Sequence, residues 1–96
     1  MEQALLSKIE NAIVVYEQAI GGFAARTRQM IEREGAINAL SRLVVSPDLQ
    51  QGFRVLRDRN QLDSTFEAVI VKYPQCFSNN VIEAARWRLN NADHLL

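Results

Sequence analysis

Cysteine and histidine are nearly missing from this chain. Its 96 residues include one of each, Cys76 and His94. A lone cysteine excludes an internal disulfide framework, and without a CxxC pair or a Cys/His cluster no metal-ligand spacing is present. No metal and no cofactor is therefore expected. Net charge is also lacking: eleven Lys and Arg balance eleven Asp and Glu. That balance argues against a surface built throughout to coat nucleic acid or anionic membrane. Long apolar runs are absent too. The longest, Ala12 to Tyr16, is far too short to cross a bilayer, and no basic segment followed by an apolar one opens the chain. A soluble, unprocessed protein of a reducing cytoplasm is expected, with no membrane partner. Strand-like alternation, internal repeats and a glycine-rich phosphate loop are missing as well.

What is present is helical periodicity. At 48% apolar content the chain has the make-up of one ordinary globular domain spanning 1–96. From Glu2 to about Glu34 an apolar seam runs Leu6, Ile9, Ile13, Tyr16, Ile20, Phe23, Thr27, Met30. Steps of three and four residues average about 3.5, the spacing of a coiled-coil stripe that seeks a partner helix. Leu5, Ala12 and Ala19 widen the stripe, while Glu10 and Glu17 lie beside it as charges that steer pairing. Gly21-Gly22 is the weak point, since each glycine costs a helix interior roughly 1 kcal/mol against alanine. The helix either continues through the pair or bends there. The seam keeps its phase from Ile20 to Phe23, which favours continuity.

A continuous helix of some 33 residues would be about 50 Å long, more than the rest of a chain this size can sheath. The reading that follows is homodimerisation through Leu6, Ile9, Ile13, Tyr16, Ile20, Phe23 and Met30, with parallel and antiparallel pairing both open. Aspartate at Ile20 or Phe23 is then expected to dissociate and largely unfold the protein.

The remainder, 36–91, reads as a compact portion of four short helices. Gly35 ends the long helix. Ala36–Val45 follows, its inner face Ile37, Leu40, Leu43 and Val44. Ser46-Pro47-Asp48 has the form of a helix start, with a hydroxyl cap, proline in the first turn and an acid behind it. The helix it opens runs to Asp58, burying Leu49, Phe53 and Leu56 and leaving Arg54 and Arg57 outside. Asp63 or Ser64 caps the next, Ser64-x-x-Glu67 matching a capping box, with Phe66, Val69, Ile70 and Tyr73 inward and Pro74 as its end. The last begins at Ser78, where Phe77 and Ile82 form a hydrophobic staple, and frays near Asn90-Asn91.

No catalytic constellation emerges, and an enzyme is not expected. His94 stands near the end of the chain without a second histidine. Cys76 has only Lys72 nearby to lower its pKa and is read as a small hydrophobe. Two features stand out. Trp87 lies roughly 150° from the Ile82/Ala85/Leu89 stripe at 100° per residue and is flanked by Arg86 and Arg88, a composition shared by protein-interface hot spots and single-strand stacking platforms. Residues 26–59 carry seven arginines against Glu32, Glu34, Asp48 and Asp58, whereas residues 1–25 carry Glu2, Glu10 and Glu17 against Lys8. Arg54, Arg57, Arg59, Arg86, Trp87 and Arg88 are thus the candidates for partner binding. A protein partner is favoured; the alternative is a small dimeric nucleic-acid-binding regulator using an arginine-rich face.

The run Gly52-Phe53, Leu56, Leu62-Asp63-x-Thr65-x-Glu67-Ala68, Phe77 and Ala85-Arg86-x-Arg88-Leu89 resembles segments of small bacterial all-helical proteins of uncharacterised function. The resemblance covers about 40 residues of the C-terminal half. It implies a shared helical fold and a bacterial cytoplasmic setting, and it carries over no functional residue. Taken together, the expectation is an all-α, non-enzymatic homodimeric interaction module.

Overall fold

The computed structural model describes residues 2–47 and 50–95, and its described residues are helical without strands. Six α-helices follow one another: α1 (Glu2–Ile20), α2 (Ala25–Glu34), α3 (Ala36–Val45), α4 (Gln51–Asp58), α5 (Phe66–Lys72) and α6 (Asn79–Asn90). Single 3-10 turns stand at Leu62–Ser64, Pro74–Cys76 and Ala92–His94. Two packing groups meet along one core. α6 lies against both α3 and α5, and α1 lies against α4 and α5.

The first helix stops at Ile20, so the continuous 2–34 rod is corrected to two helices. The cause is local. Gly21 takes φ +65°, and the Gly22 N–H reaches back to the Glu17 carbonyl at 3.2 Å, the bonding of a glycine-terminated helix end. The nineteen residues of α1 are then about 28 Å long at 1.5 Å per residue, and the molecule measures 29 × 28 × 22 Å. The helix therefore fits within its own fold. Leu5, Ile9, Ala12 and Ile13, at i, i+4, i+7 and i+8, are buried in the core with Leu40, Val44, Val69, Ile70, Val81, Ile82 and Ala85.

Gly35 ends α2 at φ +88° and at once begins α3, which covers the expected Ala36–Val45 and buries Ala39, Leu40 and Val44. The next expected start is displaced. Ser46 is the C-cap of α3, and α4 begins only at Gln51 after an extended Gln50. Asp48 and Leu49, assigned to its first turn and inner face, lie outside the described residues. After α4, Asn60 turns the chain at φ +60°, a conformation asparagine tolerates better than most side chains.

The cap of α5 is Thr65 rather than Asp63 or Ser64. Its Oγ1 accepts the Ala68 N–H at 3.1 Å. Glu67 is consequently not a capping-box carboxylate. It points inward and accepts a hydrogen bond from Arg88 Nη1 at 3.0 Å, both side chains being less than a tenth exposed. Arg88 also donates to the Ser46 carbonyl at 2.7 Å and to that of Leu43 at 3.4 Å. One guanidinium thus joins α5, α6 and the C-terminal end of α3, where a cation complements the exposed carbonyls. Burial pushes the Glu67 carboxyl up from its ordinary range, opposed by the Arg88 bond. At α6 the staple holds: Ser78 precedes the helix, and Phe77 and Ile82 are both buried in the core.

Removing one member of a buried pair strands the other charge, at a cost of about 3–5 kcal/mol. Arg88→Ala is therefore expected to lower the urea unfolding free energy by that amount. The double replacement Glu67→Leu with Arg88→Met is expected to lose less than the single one, because no buried charge is left over.

Candidate interaction surface

The break at Gly21-Gly22 turns the chain onto its own first helix, and the turn is held by charge. The Glu17 carboxylate, one turn before the end of α1, accepts the Ala24 N–H at 2.8 Å, satisfying a backbone donor at the start of α2. Arg28, one turn into α2, grips the same carboxylate with Nε at 2.9 Å and Nη2 at 2.8 Å. Its Nη1 and Nη2 reach the two oxygens of Glu10 at 3.0 Å each. Glu10 and Glu17 lie seven residues apart and so share a face of α1, which lets one planar guanidinium serve both. The Arg28 bonds first, and the Ala24 N–H after them, hold the Glu17 carboxyl down from an ordinary 4.5 to about 2. The same carboxylates push the Arg28 guanidinium further up.

Phe23 stands on the corner, its ring 5.2 Å from the Arg28 guanidinium carbon and 71% exposed. Ile20 at 40% and Leu6 at 45% are exposed as well. Two clefts meet at Phe23, one on each side of α2. One, of about 470 Å³, is lined by Tyr16, Ile20, Met30, Gly52 and Phe53 among others. The other, of about 580 Å³, is lined by Leu6, Ile9, Arg28, Ile31 and Glu32 among others. Between them α2 lies across the body with none of its own side chains fully buried.

The expected seam is therefore divided. Ile9 and Ile13 pack in the core of the single chain; Tyr16 and Met30 are half-buried cleft walls; Leu6, Ile20 and Phe23 face outward. The six residues proposed for partner binding divide too. Arg54, Arg59, Arg86 and Trp87 are exposed. Arg57 is turned in rather than left outside, its side chain 16% exposed beside Asp58 and donating to the carbonyls of Ala92, at 3.1 Å, and Leu95. Arg88 is buried in the pair described above. Two of the five candidate arginines thus serve the fold, and Trp87, at 57% exposure, keeps its place opposite the α6 core face. Cys76 is half-buried, and no group of three or more His, Cys, Asp or Glu able to hold a metal occurs among the described residues.

The Glu10/Glu17/Arg28 clamp has no signature in the local sequence. On a continuous helix Glu17 and Arg28 lie eleven residues, or about 16 Å of rise, apart. Only the bend at the glycines brings them together. No family model matches this chain, and no curated protein or solved structure is significantly similar to it.

The clamp has a pH signature. A carboxyl whose pKa is depressed on folding contributes stability above its unfolded pKa and loses that contribution as the pH falls through the folded value. For Glu17 the window runs from 4.5 down to about 2. The difference in urea midpoint between wild type and Glu17→Gln should be constant above about pH 5 and shrink steadily below it. A difference independent of pH would remove the clamp from the account.

Proposed function

We propose that this chain is a non-enzymatic helical interaction module that forms a homodimer through the corner where α1 turns into α2. One observation carries the reading: Phe23, 71% exposed, stands where two clefts meet, and Ile20, 40% exposed, lines one of them. Single exposed apolar residues are ordinary on a soluble surface. An exposed aromatic with an arginine over one face, set between one largely apolar recess and one that mixes apolar and charged walls, has the composition of a contact surface. Knob and recess occupy the same patch of one chain. A two-fold axis beside Phe23 would seat each ring in the other copy's cleft, giving an isologous contact. The cleft of about 470 Å³ walled by Tyr16, Met30 and Phe53 is apolar enough to receive it.

The dimer surface supported here is smaller than the seven-residue seam, because Ile9 and Ile13 already serve the core. Leu6, Ile20, Phe23 and Met30 remain available to a partner, with Tyr16 as a cleft wall.

Phe23→Asp tests the proposal; because the residue is 71% exposed rather than buried in a continuous seam, the variant is expected to dissociate without the unfolding that the seam implied. Light scattering over a dilution series should show wild-type protein approaching twice the chain mass. The variant should remain at one chain mass with unchanged helical circular dichroism. A wild-type protein that stays monomeric at every concentration would contradict the proposal.

A further inference from the structure

We infer that Gly21-Gly22 is a hinge through which two copies of this chain exchange their first helices, so that each α1 seats on the other copy's body and presents Glu10 and Glu17 to the other copy's Arg28. The inference rests on the reading of the chain as a self-associating module and goes beyond it, replacing the contact between two folded-back corners with an exchange of first helices that carries Ile9 and Ile13 into the other copy's core.

Four observations converge on the hinge. The apolar stripe is written in the sequence as if no break existed: Ile20 and Phe23 are three residues apart, in phase with Tyr16 before them and Met30 after. In the folded-back chain the four residues line one cleft, and the two that flank the glycines stay exposed, Ile20 at 40% and Phe23 at 71%. Straightened into helix, the segment would align them on one stripe beside the same pair from the second copy, where close approach of two backbones suits glycine.

The bend depends on glycine for its dihedral angle and not for space. Gly21 sits at φ +65°, and a Cβ built there would meet nothing within 4 Å. The same residue is free to adopt helical angles. Between α1 and α2 only Ala24 is buried, so straightening sacrifices little packing; it exchanges the Ala24 and Gly22 N–H bonds to Glu17 for the backbone bonds of a continuous helix.

The first helix is also separable in the right way. The elements it packs against, α4, α5 and the turn at Leu62–Ser64, all lie beyond the hinge. Every such contact is between a segment before the glycines and a segment after them, and each re-forms unchanged when the segments belong to different copies, the condition for exchange at low cost.

Charge complementarity identifies the occupant. Arg28 is held by two carboxylates in a planar fork at 2.8 to 3.0 Å. A helix that is to replace α1 must bring a pair of acids seven residues apart on the face beside its apolar stripe. The α1 of a second copy does so.

The test uses two charge-reversed full-length chains. In one, Glu10→Arg and Glu17→Arg place three arginines together; in the other, Arg28→Glu places three carboxylates together. Each chain is repelled within itself. When the two are mixed, or refolded together from urea, exchange matches opposite charges at both clamps. A one-to-one heterodimer seen by native mass spectrometry, melting well above either chain alone, is the expected result. A mixture that behaves as the sum of its parts overturns the exchange. If wild type still dimerises in that case, self-association stands without the exchange. Gly21→Ala with Gly22→Ala provides an independent reading, because alanine disfavours the +65° corner and favours helix. The dimer dissociation constant should fall about tenfold or more, and an unchanged or higher constant overturns the proposal equally.

Discussion

The carboxylate of Glu17 accepts one backbone N–H from Ala24 and two N–H groups from Arg28 at 2.8 to 2.9 Å, and that grip holds the corner between α1 and α2. A helix end leaves donors and acceptors without partners, and a fold-back in mid-chain creates two such ends at once. Here Gly21 and Gly22 close the first end through the Glu17 carbonyl, and the Glu17 side chain supplies the second. One residue therefore serves both sides of the corner. Because the corner holds, α1 is short enough to lie within its own fold, Ile9 and Ile13 enter the core, and Ile20 and Phe23 are turned out.

Much of the helical plan was legible in local patterns. Gly35 as a terminator, Ala36–Val45, the proline that follows α5 and the Phe77/Ile82 staple around Ser78 depend on neighbours within a few residues, and the structure matches them. The continuous first helix was not legible in that way. The seam's unbroken phase argued for continuity, and the opposing signal, a carboxylate reaching from Glu17 to a donor seven residues on, has no local pattern. Glu67 taught the same lesson. Ser64-x-x-Glu67 has the form of a capping box, but Arg88, 21 residues away, claims the carboxylate, and Thr65 takes over the cap. The start expected at Ser46-Pro47 fell four residues early because the Ser46 carbonyl is bonded to Arg88 at the end of the preceding helix.

The arginines show how composition alone blurs structure and function. Five of the nine are candidates for partner binding by composition, yet two of those five, and Arg28 besides, are engaged internally. Arg28 closes the corner, Arg57 ties down the carbonyls near the C-terminal turn, and Arg88 joins three helices. Their planar, multidentate heads suit such joints better than lysine would. The candidate surface is the corner that Arg28 closes, where Phe23 and Ile20 stay exposed beside the clamp.

The proposed homodimer would form at this corner and not at the arginine- and tryptophan-bearing face of α6. An amide-resolved NMR dilution series addresses it most directly. Concentration-dependent shifts concentrated on Leu6, Ile20 to Ala25 and Met30, with Arg86 and Trp87 unmoved, are the predicted result. Shifts confined to α6, or none at any concentration, would contradict it.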